Sequence, residues 1–246
     1  MECDATPKDW TGIIELQEVT AHASPRYSAG FKDTTLGVAR GQAAIIAVPH
    51  TGWTTPLGDL CCGLESPDAG VVRFLDRPWD TRGHGQAAKD RGRIGRVWPD
   101  CAWVGNLDMD ENILLPQLHH TWRSETELRQ EGRALCQTFG LDDLPRTRPT
   151  WTPKDVCQKA QWVRALLGKP ELLILEHPDD RVNEVDRARL VKSVDLARTH
   201  GAAILWITSK TPPALSDHPG TVTQVELTWQ PKEATIYNLI KDDVRE

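Results

Sequence analysis

Cysteine and histidine are the residue types in this sequence that could form disulfides or bind a metal. None of the six cysteines is spaced as in a CxxC motif, and they are Cys3, Cys61, Cys62, Cys101, Cys136 and Cys157. Zinc sites and disulfide frameworks need regular Cys and His spacing, so the sequence predicts neither of them. The adjacent His119 and His120 would point apart on any regular element, and we interpret them as exposed loop histidines. We therefore expect no metal site and a reducing compartment.

Composition and charge exclude several other classes of protein. The 246-residue chain has 29 basic and 35 acidic side chains, a net charge of −6 and no basic tract. Nucleic acids and anionic lipid surfaces need clustered Lys and Arg, so we expect neither as the main partner. No apolar run approaches the roughly 20 residues that cross a bilayer, and Met1–Asp4 does not read as a signal peptide. The unusual feature is 10 Trp against 3 Phe and 2 Tyr.

Three continuous apolar runs of strand length alternate with helical segments. The runs are Ala43–Val48, Leu172–Leu175 and Ala202–Ile207. Such runs are typical of strands that are buried on both faces of a parallel sheet. A helix is predicted over Thr54–Leu64, and another between Asn183, its N-cap, and Gly201. The pattern predicts an α/β domain with a largely parallel sheet.

The other segments are helical or form short strands. Residues 100–157 read as helical and loop-rich, and Ser124–Glu127 has the sequence of a capping box. Short β segments are predicted at Val71–Asp76, Val222–Trp229 and Thr235–Ile240.

The order of these segments resembles the nucleotide-binding subunit of an ABC transporter from Ile13 to Ser209. Several scaffold stretches carry the resemblance, namely Gly63–Gly70, Asn106–Ile113, Arg164–Leu173 and Asp186–Leu190. The resemblance implies a P-loop NTPase fold of the ABC ATPase type, with a three-layer core, an antiparallel β subdomain and a helical subdomain. It also implies one nucleotide-binding domain over residues 1–246. Its core and β subdomain would cover about 12–98 and 158–228, its helical subdomain about 100–157, and a C-terminal β segment or tail 229–246.

The phosphate loop of that family reads GxxxxGK[ST], whose backbone N–H groups and Lys bind phosphate while the hydroxyl holds Mg²⁺. The aligned segment Ala47–Thr54 keeps Gly52 and Thr54 but has Trp53 in place of the Lys. A lost charge-assisted contact costs about 1.5–3 kcal/mol. We expect no bound cofactor, or at most weakly bound ATP and Mg²⁺. The vestigial loop comprises His50, Thr51, Gly52, Trp53, Thr54 and Thr55.

The other catalytic positions that the resemblance identifies also differ from the family pattern. Glu176 ends the Walker B strand and could hold Mg²⁺ through water, and His177 replaces the carboxylate that polarises the attacking water. Pro99 replaces the glutamine of the Q-loop, and Ser209 replaces the switch histidine. These four positions are therefore expected to be vestigial.

The signature motif of the family aligns with Thr152–Val156, which reads as a helix start with Thr152 as N-cap and Pro153 at the first position. An ABC dimer builds each ATP site from one phosphate loop and the partner's signature motif, and this chain departs from both. The prediction is a catalytically inactive cassette, not an enzyme, that serves as a structural or scaffold component of a transport complex. Two alternatives stay open. One is a slow or asymmetric ATPase that uses Thr54, Glu176 and His177 with an active partner, and the other is a soluble protein-binding regulator.

The family docks a short cytoplasmic helix of its membrane permease beside the Q-loop, in the region that corresponds to Arg96–Pro116. Interface cores favour Trp, so the candidate docking residues are Trp98, Trp103, Ile113 and Leu114, although both Trp could equally belong to the core. Glu111–Pro116 resembles the cassettes of Mla and Mce lipid transporters, which suggests a lipid cargo. The implied partners are an integral-membrane permease and a second cassette, in a homodimer or heterodimer. The implied location is the cytoplasmic face of the inner membrane.

Overall fold

A computed structural model describes residues 12–50, 52–210, 213–215 and 222–231. Ten strands form two sheets: β1 Gly12–Ala21, β2 Ala29–Ala39, β3 Ala43–Ala47, β4 Ala69–Phe74, β5 Arg77–Pro78, β6 Ile94–Val97, β7 Leu172–Glu176, β8 Ala203–Thr208, β9 Val222–Val225 and β10 Thr228–Pro231. Six α-helices accompany them: α1 Leu57–Cys61, α2 His84–Arg91, α3 Met109–His120, α4 Glu125–Thr138, α5 Lys154–Leu166 and α6 Glu184–Thr199. No helix in these ranges is long and apolar enough to cross a membrane.

The central sheet is parallel, in the strand order β6-β7-β8-β3-β9. Its three middle strands, β7, β8 and β3, are the three apolar runs, and their side chains are buried on both faces. On one face, Ile45, Leu173 and Trp206 pack against the helices. On the other face, Ile46 and Ile174 pack toward the antiparallel sheet. The prediction of a parallel, fully buried sheet is confirmed.

The second sheet is antiparallel, in the order β10-β2-β1-β4-β5. Its inner side chains, among them Leu16, Phe31 and Phe74, complete the core on that side of the parallel sheet. On the opposite side, Phe139 of the α4 end and Trp162 of α5 contact each other edge to face, with ring centroids 5.2 Å apart. The molecule is therefore layered as helices, parallel sheet and antiparallel sheet, the α/β P-loop type of fold that was predicted.

Local signals predicted two helix starts correctly. The Asn183 side chain accepts a hydrogen bond from the backbone N–H of Asp186 at 2.9 Å, and Ser124 with Glu127 forms the capping box. Two other details were wrong. Helix α1 begins at Leu57 rather than Thr54, and α5 begins at Lys154 with Pro153 as its N-cap.

The predicted β segment Val222–Trp229 is two strands that belong to different sheets. β9 pairs in parallel with β3, whereas β10 pairs antiparallel with β2. The predicted segments Met1–Asp4 and Thr235–Ile240, and most of the predicted tail at 229–246, lie outside the described residues.

Candidate functional site

The carboxyl ends of the parallel strands bring the predicted site residues to one edge of the sheet. Ligands of open α/β sheets bind outside this edge, because the strand ends and their loops leave a crevice there. The residues that meet here are His50 and Gly52 after β3, Trp98 and Pro99 after β6, Glu176 and His177 at the end of β7, and Ser209 after β8. Thr51 lies outside the described residues.

A buried ionic network, the Arg96 cluster, occupies the centre of this edge and consists of Arg96, Glu176, Asp59 and Tyr27. Arg96 Nε and Nη2 lie 2.7 and 2.6 Å from the same oxygen, Glu176 Oε1. Arg96 Nη1 lies 2.5 Å from Asp59 Oδ1, and the Tyr27 hydroxyl donates to Asp59 Oδ2. Arg26 Nη2, which is largely exposed, lies 3.1 Å from Asp59 Oδ2. One buried guanidinium is thus held between two buried carboxylates.

The pKa values of the Arg96 cluster reflect burial and the opposite charges together. Burial alone would raise the pKa of the Asp59 carboxyl, but the Arg96 charge and the Tyr27 hydroxyl lower it below its usual range. Burial raises the pKa of the Glu176 carboxyl, and the Arg96 guanidinium opposes that shift. Burial would lower the pKa of Arg96, but the carboxylates raise it on balance. The guanidinium therefore stays charged in this position.

A cavity of about 220 Å³ opens beside the Arg96 cluster. Thr54 and Thr55 of the phosphate-loop segment line it, together with Trp98 and Pro99 at the predicted Q-loop position. The Arg96 Cζ atom lies 3.5 Å from the centroid of the Trp98 ring, a cation–π contact that covers one face of the guanidinium. The cavity is therefore polar on the side of the cluster and apolar on the side of Trp98.

The phosphate-loop segment is hydrogen-bonded to the residues that precede β2. The Thr54 backbone N–H donates to Ser28 Oγ at 2.9 Å, and the Thr54 hydroxyl donates to the Arg26 carbonyl at 3.2 Å. These bonds tie Thr54 to the segment before β2, and helix α1 starts three residues later than predicted, at Leu57. Trp53 packs beside His50 and Trp229, at centroid distances of 4.9 and 6.3 Å, and does not line the 220 Å³ cavity.

His177 is buried directly after Glu176, with a left-handed backbone φ of 47°. Its backbone N–H donates to the Ile207 carbonyl at 2.9 Å, and its Nδ1 has no hydrogen-bond partner among the described residues. The nearest carboxylate oxygen to Nδ1, at 3.8 Å, is that of Asp180. On the neighbouring loop, Lys210 Nζ lies 3.0 Å from the Asp179 carbonyl oxygen. Within the described part of the chain, no side chain is thus hydrogen-bonded to Nδ1 to orient the imidazole.

The sequence interpretation missed Arg96 and Asp59, which form the centre of the site. A signal for Arg96 was present, because it is a charged residue within the four-residue β6 strand Ile94–Val97. A charge inside a buried strand requires a partner, and Asp59 and Glu176 are the acidic candidates at this sheet edge. The partners lie 37 and 80 residues away in the chain, so no local pattern connects them.

A second cavity of about 290 Å³ shares Trp98 with the first cavity and is also lined by residues of helix α3. We call it the Trp98 groove, and its walls include Leu115, Pro116, Arg91 and Arg164. Neither arginine has a carboxylate partner among the described residues, and both donate to backbone carbonyls instead. Burial lowers the pKa of Arg164 to about 10. The groove is therefore apolar with an excess of positive charge.

The four predicted docking residues occupy different positions around the Trp98 groove. Trp98 lines it, and Trp103 stacks against Arg164, whose Cζ lies 4.1 Å from the ring centroid. Ile113 and Leu114 are fully buried and belong to the core. These two side chains are therefore core residues of helix α3. Leu115 and Leu118 are the exposed leucines of this helix, and of the two only Leu115 lines the groove.

His119 and His120 lie at the C-terminal end of helix α3 rather than in a loop, and their ring centroids are 4.7 Å apart. His120 is half-buried, and burial lowers its pKa. The interpretation as exposed loop histidines is therefore wrong for His120. Within the part of the chain that the structure describes, no three His, Cys, Asp or Glu residues are placed to hold a metal ion.

Comparison with known proteins identifies the class. The fold matches the dimeric structure of MJ0796, a bacterial ABC transporter cassette, with a TM-score of 0.73 at 16% identity over 89% of this chain and 98% of that chain. This likeness defines the fold as that of an ABC ATPase cassette. No family model matches the sequence.

Relatives in sequence identify the family. The lipoprotein-releasing system ATP-binding protein LolD of Gluconobacter oxydans is 32% identical over 171 residues, which cover 67% of this chain and 71% of that protein. The taurine import ATP-binding protein TauB of Pseudomonas aeruginosa is 25% identical over 185 residues, 75% of this chain and 67% of that protein. The chain belongs to the family of ABC transporter ATP-binding subunits.

This family membership changes the functional interpretation. The predictions of an ABC cassette and of its fold are confirmed. The prediction that the chain is not an enzyme is wrong, because the ATP-binding subunits to which it is related are ATPases. A structural neighbour, the MJ0796 cassette in a post-hydrolysis state, is bound to ADP and phosphate. This agrees with the part of the cofactor prediction that allowed for a bound nucleotide. Subunits of this family dimerise and pair with membrane permeases.

Proposed function

We propose that this chain binds ATP and hydrolyses it slowly, as one cassette of an ABC transporter that also contains an active partner cassette. The observation that carries the proposal is the cavity of about 220 Å³ where the phosphate-loop segment, Glu176 and the Q-loop position meet. Arg26 at its rim is largely exposed and would contact the phosphates, whereas the charge of Arg96 at its wall is balanced by Asp59 and Glu176. Trp98 offers an apolar surface on the other side.

Slow, asymmetric turnover follows from the residues that differ from the family pattern. Trp53 provides no charge for phosphate, and one charge-assisted contact of about 1.5–3 kcal/mol corresponds to a factor of about 10 to 100 in affinity. The buried His177 stands where the family has the carboxylate that polarises water. An intact partner cassette would supply the efficient site of the pair, so of the two dimers that the sequence left open the proposal favours the heterodimer.

The Mg²⁺ ion that accompanies ATP in this family does not fit the residues present. Glu176 Oε1 already accepts two N–H groups from Arg96, and the Thr54 hydroxyl is bound to the Arg26 carbonyl. Mg²⁺ requires octahedral oxygen ligands at about 2.0–2.1 Å, and a guanidinium in contact with the same carboxylate competes with it. No step of the proposed function is therefore assigned to Mg²⁺ at Glu176.

Arg26→Ala tests the nucleotide site, with Arg40→Ala as its matched control. Both arginines are exposed and pair with a carboxylate, but Arg40 bonds Glu171 at the opposite edge of the parallel sheet. We expect Arg26→Ala to weaken ATP binding about tenfold, as the loss of one charge-assisted phosphate contact would, and to lower ATP turnover of the permease complex. Arg40→Ala should leave both unchanged.

Binding of a fluorescent ATP analogue and phosphate release by the reconstituted complex are the two measurements. Equal effects of the two substitutions, or the absence of saturable ATP binding, would contradict the proposed function.

The Trp98 groove supports docking of a membrane permease, which would hold the chain at the cytoplasmic face of the inner membrane. Its apolar wall at Leu115 and Pro116 suits a short amphipathic helix, since such helices bury one apolar face in a groove. Arg91 and Arg164 add charge that a carboxylate of the permease would neutralise. A lipid cargo, suggested by Glu111–Pro116, stays a prediction, because the relatives are named for taurine and for lipoproteins.

Leu115→Asp tests docking, with Leu196→Asp as control. Both leucines are exposed on helix surfaces, at 41% and 58% respectively, but Leu196 lies on α6, away from the groove. Leu115→Asp should abolish co-purification with the permease while the far-UV circular dichroism spectrum is retained, and Leu196→Asp should do neither. Retention of the permease by the Leu115→Asp variant would count against docking in this groove.

A further inference from the structure

The guanidinium of Arg96 lies against Glu176 in the position that a bound cation would take. Two N–H groups of Arg96 converge on Glu176 Oε1 at 2.6–2.7 Å, and a third reaches Asp59 Oδ1 at 2.5 Å. Both carboxylates therefore point at one positive centre. In the family pattern Glu176 stands where a carboxylate serves the divalent cation, so Arg96 meets the carboxylate that would serve Mg²⁺.

The guanidinium is fixed in this position from several directions. The side chains of Arg96, Asp59 and Glu176 are 7%, 2% and 4% exposed, so the pair is closed to bulk solvent. The Trp98 ring covers one face of the guanidinium at 3.5 Å. On α1, Gly58 has no side chain where a Cβ would lie 2.5 Å from both Arg96 Nη2 and Glu176 Oε1. The backbone of α1 thus leaves room for the ion pair and for nothing larger.

Charge also disfavours a metal ion here. A divalent cation that bound Glu176 would lie within a few ångströms of the buried guanidinium, and like charges in a buried site repel strongly. A metal ion that bound Glu176 Oε1 would have to displace the two Arg96 N–H groups from that oxygen. The guanidinium, which is part of the protein itself, therefore competes with a metal ion for Glu176.

We infer that Arg96 is the resident cation of the nucleotide site and that ATP binds to this chain without a divalent metal ion at Glu176. The inference rests on the proposed function for its nucleotide. Its statement about the metal ion can be tested on the protein alone.

The first measurement is the affinity for ATP in EDTA and in excess Mg²⁺, by equilibrium binding to the full-length chain. We expect the two dissociation constants to agree within about twofold. Binding that is about tenfold or more tighter with Mg²⁺ would overturn the inference. The absence of ATP binding under both conditions would contradict the proposed function, and the second measurement then decides the inference by itself.

The second measurement is Mn²⁺ binding to the nucleotide-free chain, by electron paramagnetic resonance. Wild type and Glu176→Gln should bind equal amounts of Mn²⁺, and a site in wild type that Glu176→Gln removes would overturn the inference. Arg96→Gln frees two buried carboxylates and should create a Mn²⁺ site. The matched control Arg82→Gln, which removes the buried partner of Asp90 elsewhere, should create none. A folded Arg96→Gln variant that gains no Mn²⁺ site would also count against a cation position at Glu176.

Discussion

Gly58→Ala is the substitution for which the Arg96 cluster makes the sharpest prediction. Gly58 is buried in helix α1, and an added Cβ would lie 2.5 Å from Arg96 Nη2 and 2.5 Å from Glu176 Oε1. Ordinary contact begins at 3.4 Å, so these atoms would have to withdraw by about 1 Å. They are the ends of long side chains, but each is held by the other and Arg96 is also held by Asp59. Withdrawal therefore lengthens the ion pair.

Two opposing effects set the magnitude. Alanine is favoured over glycine inside a helix by about 1 kcal/mol. An added methyl group in a packed interior costs about 1–3 kcal/mol, and distortion of a buried ion pair adds to that cost, since complete loss of one partner costs about 3–5 kcal/mol. The packing and charge effects outweigh the helix preference. We expect Gly58→Ala to lower the free energy of unfolding by about 1–2 kcal/mol.

Urea denaturation is the assay, and Gly85→Ala is the control. Gly85 lies within helix α2, and a Cβ there would meet nothing within 4 Å. The control should therefore show the helix preference alone, a gain of about 0.5–1 kcal/mol. With a urea dependence of about 3 kcal/mol/M, Gly58→Ala should move the midpoint down by about 0.5 M. If Gly58→Ala were as stable as Gly85→Ala, the close packing of α1 on the ion pair would be refuted.

Two further predictions concern acid and thiol reagents. The Asp59 pKa is lowered in the folded protein, so Asp59 stabilises the fold above its unfolded value near 3.9, and this contribution is lost as the pH falls through the lower folded value. Unfolding midpoints of wild type and Asp59→Asn should therefore converge as the pH falls below the unfolded value, and a gap independent of pH would contradict the pairing. The five cysteines in the described part of the chain are buried, and burial raises the pKa of Cys62 to about 11. A Cys3→Ser variant should accordingly react negligibly with Ellman's reagent at about pH 8 until denaturant is added, and rapid native reaction would be the contrary result.

Much of the fold could be predicted because its signals are local. The runs Ala43–Val48 and Leu172–Leu175 are apolar without alternation, which is what burial on both faces of a sheet requires. Asn183 and Ser124 mark helix starts because an N-cap acts on N–H groups two or three residues away. These features need no knowledge of distant residues, and the structure reproduces them.

The errors arise where a distant contact decides the local conformation. Thr54 reads as helical, but it lies outside helix α1 and bonds to Ser28 and Arg26, which are 26 and 28 residues away in the chain. Val222–Trp229 reads as one strand, but its two ends pair with different sheets. The Arg96 cluster could not be predicted for the same reason, because the partners of Arg96, Asp59 and Glu176, are distant in the chain.

Trp53 and Arg96 together explain why the site differs from that of a conventional cassette. In the family pattern, a loop lysine brings a positive charge to the phosphates, and Trp53 removes it. Arg96 brings a positive charge to the same edge of the sheet, but its ion pairs with Asp59 and Glu176 neutralise that charge. With Arg26 included, the two guanidiniums and two carboxylates have a net charge of zero. A neutral site attracts phosphate less than a cationic one. If the proposed function holds, affinity for ATP is therefore expected to depend more on shape and on the partner cassette than on the charge of the Arg96 cluster.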